Sequence, residues 1–199
     1  MKTHIHVLEK GHTQEEYIVN DADNQIFLLY NFSGKLHVKI QKEQAKVYIF
    51  GIYVGKGDDN IKIKTIQDHQ IGKSLSDLFI RGVFFDNAKF LYEGLITIAK
   101  NAQQSNAYQK NQNLLLSKGA FVDSRPFLEI EANDVRCTHG STTGRIDKEQ
   151  LYYMNMRGID NENAQKIIVD GFIEEVFIKI AEISGKSSDI DMLRKKIVQ

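Results

Sequence analysis

The chain has 199 residues and a mass of 22.8 kDa, enough for one domain with a small appendage and for a core that needs no covalent staples. Lys and Arg total 26 and Asp and Glu total 26, so the formal net charge is zero, which argues against a broad nucleic-acid footprint. A single cysteine, Cys137, excludes an intrachain disulfide framework and a Cys-rich zinc site, and no stretch approaches the roughly 18 apolar residues of a membrane span.

The N-terminal residues lack the long apolar stretch of a signal peptide, so a cytoplasmic location and no membrane partner are expected. From there to about Ile146, short runs rich in β-branched and aromatic residues recur. They begin with His4–Leu8, Gln25–Tyr30, Lys35–Ile40 and Lys46–Phe50, and continue with Ile61–Lys64, Val83–Phe85, Leu95–Ile98 and Phe127–Ile130. Several alternate apolar with polar, the mark of half-buried strands. Turn signals separate them, among them Asn20–Asn24, Gly55–Asn60, Gly72–Ser74 and Ser117–Gly119. Strands of three to five residues with turns of similar length favour a solenoid, though without a strict repeat the periodicity leaves a sandwich open.

After Ile146 the pattern turns helical. Asp147, with Gln150 three residues on, is a capping-box variant that opens a helix ending at Gly158. Asp160 caps a second helix carrying Ala164, Ile168, Phe172, Val176 and Ile180 at spacing four, with Ile167, Val169, Ile173 and Phe177 beside them. That apolar stripe is wider than one packing face requires. A third short helix is predicted over Ser188–Val198, acids first and Lys195 and Lys196 last. Two domains follow: a β domain over residues 1–146 and a helical domain over 147–199.

The chemistry-bearing stretch is Asn133–Ile146. In an extended strand Cys137 and His139 project from one face, as two metal ligands or as a thiol beside an activating imidazole. A buried cysteine beside a hydrogen-bonded histidine is the plainer alternative. The glycines at 51, 55 and 57 lack the spacing of a phosphate-binding loop and read as a turn. His4 and His6 fit an exposed terminal strand, and His12, His37 and His69 have no nearby Cys or His in sequence. Gln103, Gln104, Asn106, Gln109, Asn111, Gln112 and Asn113 surround Tyr108 and suit hydrogen-bonded amide ladders in a solenoid.

Several segments in unbroken order, over roughly residues 69–181, resemble one known family. They are Ala102–Gln104, Tyr108–Gln109, Asn113–Ser117, Pro126–Ile130, Asp134–Gly144, Glu149–Tyr153, Arg157–Ile159, Ala164 and Gly171–Val176. Together they closely resemble the core of the SufB/SufD family of iron-sulfur cluster assembly proteins. The resemblance implies a right-handed parallel β-helix followed by a small helical domain. It also implies pairing through the β-helix with a SufB-like protein or a second copy, and docking of the ABC-type ATPase SufC by the helices. Leu151, Tyr152, Arg157, Ile168, Phe172 and Val176 are then the expected partner-facing residues.

Cys137 and His139 match the Cys-x-His of the SufD type and are the candidate ligands of a transient iron-sulfur cluster shared with a partner. The cysteine of the SufB type aligns with Asn111, and its glutamate after the histidine aligns with Gly140, so the chain is SufD-like. Typical members are about twice as long, and residues 1–68 match only in general β character. The expected role is non-enzymatic, with no tightly bound cofactor in the isolated chain. The alternatives are a carbohydrate-active or acyltransferase solenoid, for which Glu129 and Glu131 are the candidate acids, and a paralogue that keeps docking without cluster chemistry.

Overall fold

The computed structural model describes residues 2–11, 13–185 and 194. Its strands are β1 (Thr3–Glu9), β2 (Gln14–Val19), β3 (Asn24–Tyr30), β4 (Gly34–Ile40), β5 (Lys46–Gly55) and β6 (Asn60–His69). They continue with β7 (Leu75–Phe84), β8 (Lys89–Ile98), β9 (Asn106–Leu115), β10 (Phe121–Ile130) and β11 (Arg136–Gly144). Helices α1 (Lys148–Met156) and α2 (Asn161–Ser184) follow. Of the third predicted helix only Arg194 falls among the described residues.

Odd-numbered strands form a six-stranded sheet in the order β1-β3-β5-β7-β9-β11, and even-numbered strands a five-stranded sheet, β10-β8-β6-β4-β2. Every strand pair is parallel. The chain therefore crosses to the opposite sheet after each strand and returns one coil later, which makes the domain a parallel β-solenoid and removes the sandwich alternative. The first coil is short, its stacked groups 21 positions apart. Later coils stack residues 29 to 32 positions apart.

The strands are longer than the sequence predicts: β5 to β10 have 10 residues each. A search for apolar runs finds only the part of each strand whose inward positions are apolar. In β6 the inward series begins with Ile61 and Ile63 and ends with Thr65, Gln67 and His69, all buried. In β9 it is Ala107, Gln109, Asn111 and Asn113.

The interior accordingly changes character along the axis. The early coils enclose Phe27, Leu29, Leu36, Val38, Val47 and Ile49. Farther on, Phe90 meets Tyr53 at 4.7 Å and Phe84 at 5.0 Å. Deeper into the later coils, Thr65 and Tyr92 share a hydroxyl hydrogen bond of 3.0 Å, and the Gln67 amide donates to Ser76 Oγ at 2.6 Å. His69 lies between Ser74 and Ser76, with each ring nitrogen 2.7 Å from a hydroxyl. Gly94 belongs to this layer, because a Cβ there would collide with the Tyr92 hydroxyl and the Gln109 amide.

The six-stranded sheet is covered on its outer face as well. Val176, Phe177 and Ile180 of α2 close over Ile26, Leu28, Phe50, Ile52 and Phe79. Burial on both faces explains why Gln25–Tyr30 and Val47–Tyr53 read as nearly continuous apolar runs. Each of the three helix side chains contributes about 1.5–3 kcal/mol by leaving water. Arg81 of β7 pins the helix where the apolar seam ends. It is 8% exposed, pairs with Glu175, and stacks on Phe172 at 4.1 Å and Phe79 at 4.9 Å.

Two outcomes test this interior. Gly94→Ala should destabilise the chain by about 1–3 kcal/mol in urea unfolding, because its methyl group displaces both polar neighbours. Burial pushes His69 down to about 4 from its ordinary 6.5, outweighing the opposing pull of Asp68. Unfolding then takes up a proton between those values. Stability is thus fully present above about pH 6.5 and falls by up to roughly 3 kcal/mol as the pH drops towards 4. In His69→Gln the difference between urea midpoints at neutral and acidic pH should shrink; an unchanged difference would assign the acid sensitivity to other groups.

Candidate functional site

The last coil carries the Cys-x-His segment. β11 stacks on β9 with Cys137 beside Ala107, His139 beside Gln109, Ser141 beside Asn111 and Thr143 beside Asn113. Because Ala107, Gln109, Asn111 and Asn113 are buried inward residues, the register puts Cys137 and His139 on the inward face of β11. Both lie on the final rung, with no further strand beyond β11 or β10 in either sheet among the described residues. The solenoid is therefore open at this end. Leu128 and Ile130, on inward positions of β10, remain 37% and 40% exposed.

The two candidate ligands sit in different surroundings. Cys137 is half-buried against the cluster of Ile96, Ile98, Ala102, Ala107 and Ala132. Burial pushes its thiol up, so at neutral pH the sulfur is held as a thiol and is not primed as a nucleophile. His139 is exposed at the rim. Among the described residues, no group of three or more His, Cys, Asp or Glu side chains is placed to hold a metal ion.

Asn111 is an interior amide that donates to Ser124 Oγ of β10 at 3.0 Å. Asn113 donates to Thr143 Oγ1 at 3.4 Å, so the amide-rich segment does bridge coils. Gly140 faces outward beside Lys110, with open space where a side chain would stand. Glu129 and Glu131 are exposed, and Glu129 stacks on Thr97 along the outer face of the five-stranded sheet. Pro126, the only proline, lies in edge strand β10, where its missing N–H is tolerated.

The helices follow the capping logic of the sequence. Asp147 accepts from the Glu149 amide at 2.9 Å and Asp160 from the Asn163 amide at 2.8 Å. Arg157 caps the end of α1, donates to the Tyr153 hydroxyl at 3.2 Å, and Gly158 follows at φ 83°. No residue of α1 is buried. Tyr152 is 65% exposed, Arg157 is exposed, and Leu151 and Ile168 are half-buried.

The wide stripe of α2 divides in two. Val176 is fully buried against the chain's own sheet and Phe172 is half-buried under Arg81, whereas Ile167 and Ile178 remain 52% and 49% exposed. Tyr153 and Met156 of α1 add exposed apolar surface that the sequence reading did not single out. Arg81 was also missed, since nothing local marks a residue whose partner is 94 positions away.

A parallel β-solenoid with an open final coil, a Cys-x-His on that coil and a helical arm beyond it matches one class of assembly protein. The chain belongs to the SufB/SufD family. Residues 31–172 match the family described as "SUF system FeS cluster assembly, SufBD core domain". Similar proteins include the iron-sulfur cluster assembly protein SufD of Escherichia coli (strain K12), 39% identical over 113 residues, which are 57% of this chain and 27% of that protein. SufD of Bacillus subtilis (strain 168) is 31% identical over 147 residues, 73% of this chain and 33% of its own length. Protein ABCI7, chloroplastic, of Arabidopsis thaliana is 29% identical over 180 residues, 86% of this chain and 38% of that protein. The chain thus spans between a quarter and two-fifths of these relatives.

The thiol environment makes a direct prediction. The rate of Cys137 alkylation by iodoacetamide should rise with pH through a midpoint above that of a cysteine in an unstructured peptide. A midpoint below it would mean an activated thiolate and would overturn this description of the site.

Proposed function

We propose that this chain is a SufD-like, non-catalytic component of the SUF iron-sulfur cluster assembly machinery, acting in the cytoplasm. The observation that carries the reading is the last coil, which presents Cys137 and His139 beside two strand edges left unpaired among the described residues. A cluster commonly takes four protein ligands, and these two residues supply at most half. The remaining ligands belong to a second β-solenoid, from a SufB-like protein or another copy of this chain, that meets β10 and β11 end-on. The cluster is cargo, held transiently between the two. An interior amide at Asn111, where the SufB type has its cysteine, fits the SufD-like role.

The second half of the proposal concerns the helices. An ABC-type ATPase of the SufC kind docks on α1 and the adjoining part of α2, through Leu151, Tyr152, Arg157 and Ile168 with the exposed Tyr153, Met156 and Ile167. Phe172 and Val176 support this surface from below by fixing α2 to the sheet. Aromatic and methionine side chains standing free on a helix are the composition expected of a protein-binding face.

These contacts are separable by experiment. Tyr152→Ala with Met156→Asp should weaken co-purification of the SufC-like ATPase by about tenfold or more while leaving solenoid pairing intact. Leu128→Lys should do the reverse. Cys137→Ser and His139→Ala should each lower cluster yield on the reconstituted complex without dissolving it. Full cluster yield from the double variant would remove the ligand role and leave a paralogue that only docks.

A further inference from the structure

We infer that the outer face of β7, β9 and β11 carries a binding site for a small phosphoryl-type oxyanion, centred on Lys110. The register builds its floor from two adjacent rungs. Asp77, Tyr108 and Thr138 form one, and Phe79, Lys110 and Gly140 the other. Lys179 of α2 flanks one side, and the half-open groove has a volume of about 400 Å³. The apolar face of α2 packs on β3, β5 and β7, and Gly140 adds no side chain over the edge strand.

The charges in this cavity are arranged for an incoming anion. Lys110 and Lys179, from a strand and a helix, approach the same Phe79 ring at 5.7 and 5.1 Å, and Arg81 lies 4.9 Å from it. Arg81 is committed to Glu175. Lys179 faces Asp77, the one carboxylate in the lining. Burial raises the Asp77 carboxyl above the usual carboxylate range, and Lys179 opposes that shift. Among the described residues, Lys110 meets the Phe79 ring face and pairs with no carboxylate. Two ammonium groups converging on one aromatic ring repel each other, and an oxyanion between them would turn that repulsion into two charge-assisted hydrogen bonds. The Tyr108 and Thr138 hydroxyls supply further donors. Gln109 and His139 complete the lining, so the groove adjoins the candidate cluster residue His139, but its fit to an anion rests on these charges and not on the cluster-assembly reading.

The source of the phosphoryl group is either free phosphate or a nucleotide, and both can be tried. Inorganic phosphate and AMP are titrated separately into the full chain at low ionic strength, by calorimetry and by phosphorus NMR line width. Saturable binding of at least one is expected, weakened about tenfold by Lys110→Met. Gly140→Glu should abolish it by filling the cavity and neutralising Lys110. A clear preference for AMP identifies a nucleotide site, and equal affinities a phosphate site. Lys89→Met, on the other sheet, should change nothing. Should Gly140→Glu fail to fold, Thr138→Val replaces it with a smaller expected loss. No saturable binding of either probe, or binding weakened as much by Lys89→Met as by Lys110→Met, overturns the proposal.

Discussion

In a parallel solenoid the backbone groups of each strand are satisfied by the strand one coil away, so a residue's neighbours are set by the stacking register and not by its own segment. Register here puts Gln25 under Val47, Val47 under Ser76, Ser76 under Ala107 and Ala107 under Cys137. A one-residue slip anywhere in that column would exchange inward for outward positions in the coil concerned. The apolar interior of the early coils enforces the register there by hydrophobic burial. In the later coils hydrogen bonds do so: a His69 ring held between two hydroxyls, or an Asn111 amide reaching Ser124, has far fewer acceptable placements than a leucine.

That change in character bears on the open end. A dry, apolar last coil would leave a large greasy cross-section, an aggregation hazard at two unpaired strand edges. The interior instead grows polar before it reaches water, and the final rung presents His139, Ser141 and Thr143 beside Leu128 and Ile130. A mixed rim of this kind tolerates exposure when the chain is alone and would retain apolar contacts for the proposed second solenoid. Its edges can therefore stay free without the blunting that an unprotected flat strand requires.

The sequence was most legible where its signals are local. Both helix caps, the stop at Gly158 and the strand-rich character up to Ile146 follow from a few adjacent residues, and the structure places them there. The family was legible from the ordered motifs between residues 69 and 181, although β2, with its Gln14-Glu15-Glu16 start, passed unnoticed. Strand lengths were underestimated because the polar inward residues of β6 and β9 look like surface until the opposite sheet is in place. The partner-facing assignment of Val176 met the same limit. A spacing-four stripe identifies an apolar helix face, but only the sheet shows which part of that face the chain itself covers.

Cys137 illustrates how placement sets chemistry. A thiolate standing ready at an exposed rim would be open to oxidation and to capture by stray metal. Half-burial against Ile96, Ala107 and Ala132 stabilises the protonated form, so under the proposed function the sulfur would become a ligand only when a metal centre arrives and displaces the proton. His139 lies two residues on and is exposed at the rim. In the proposed assembly the histidine can therefore make first contact with the cargo. The thiol would follow once the second solenoid excludes water and supplies the missing ligands, which ties ligation by this chain to the presence of its partner.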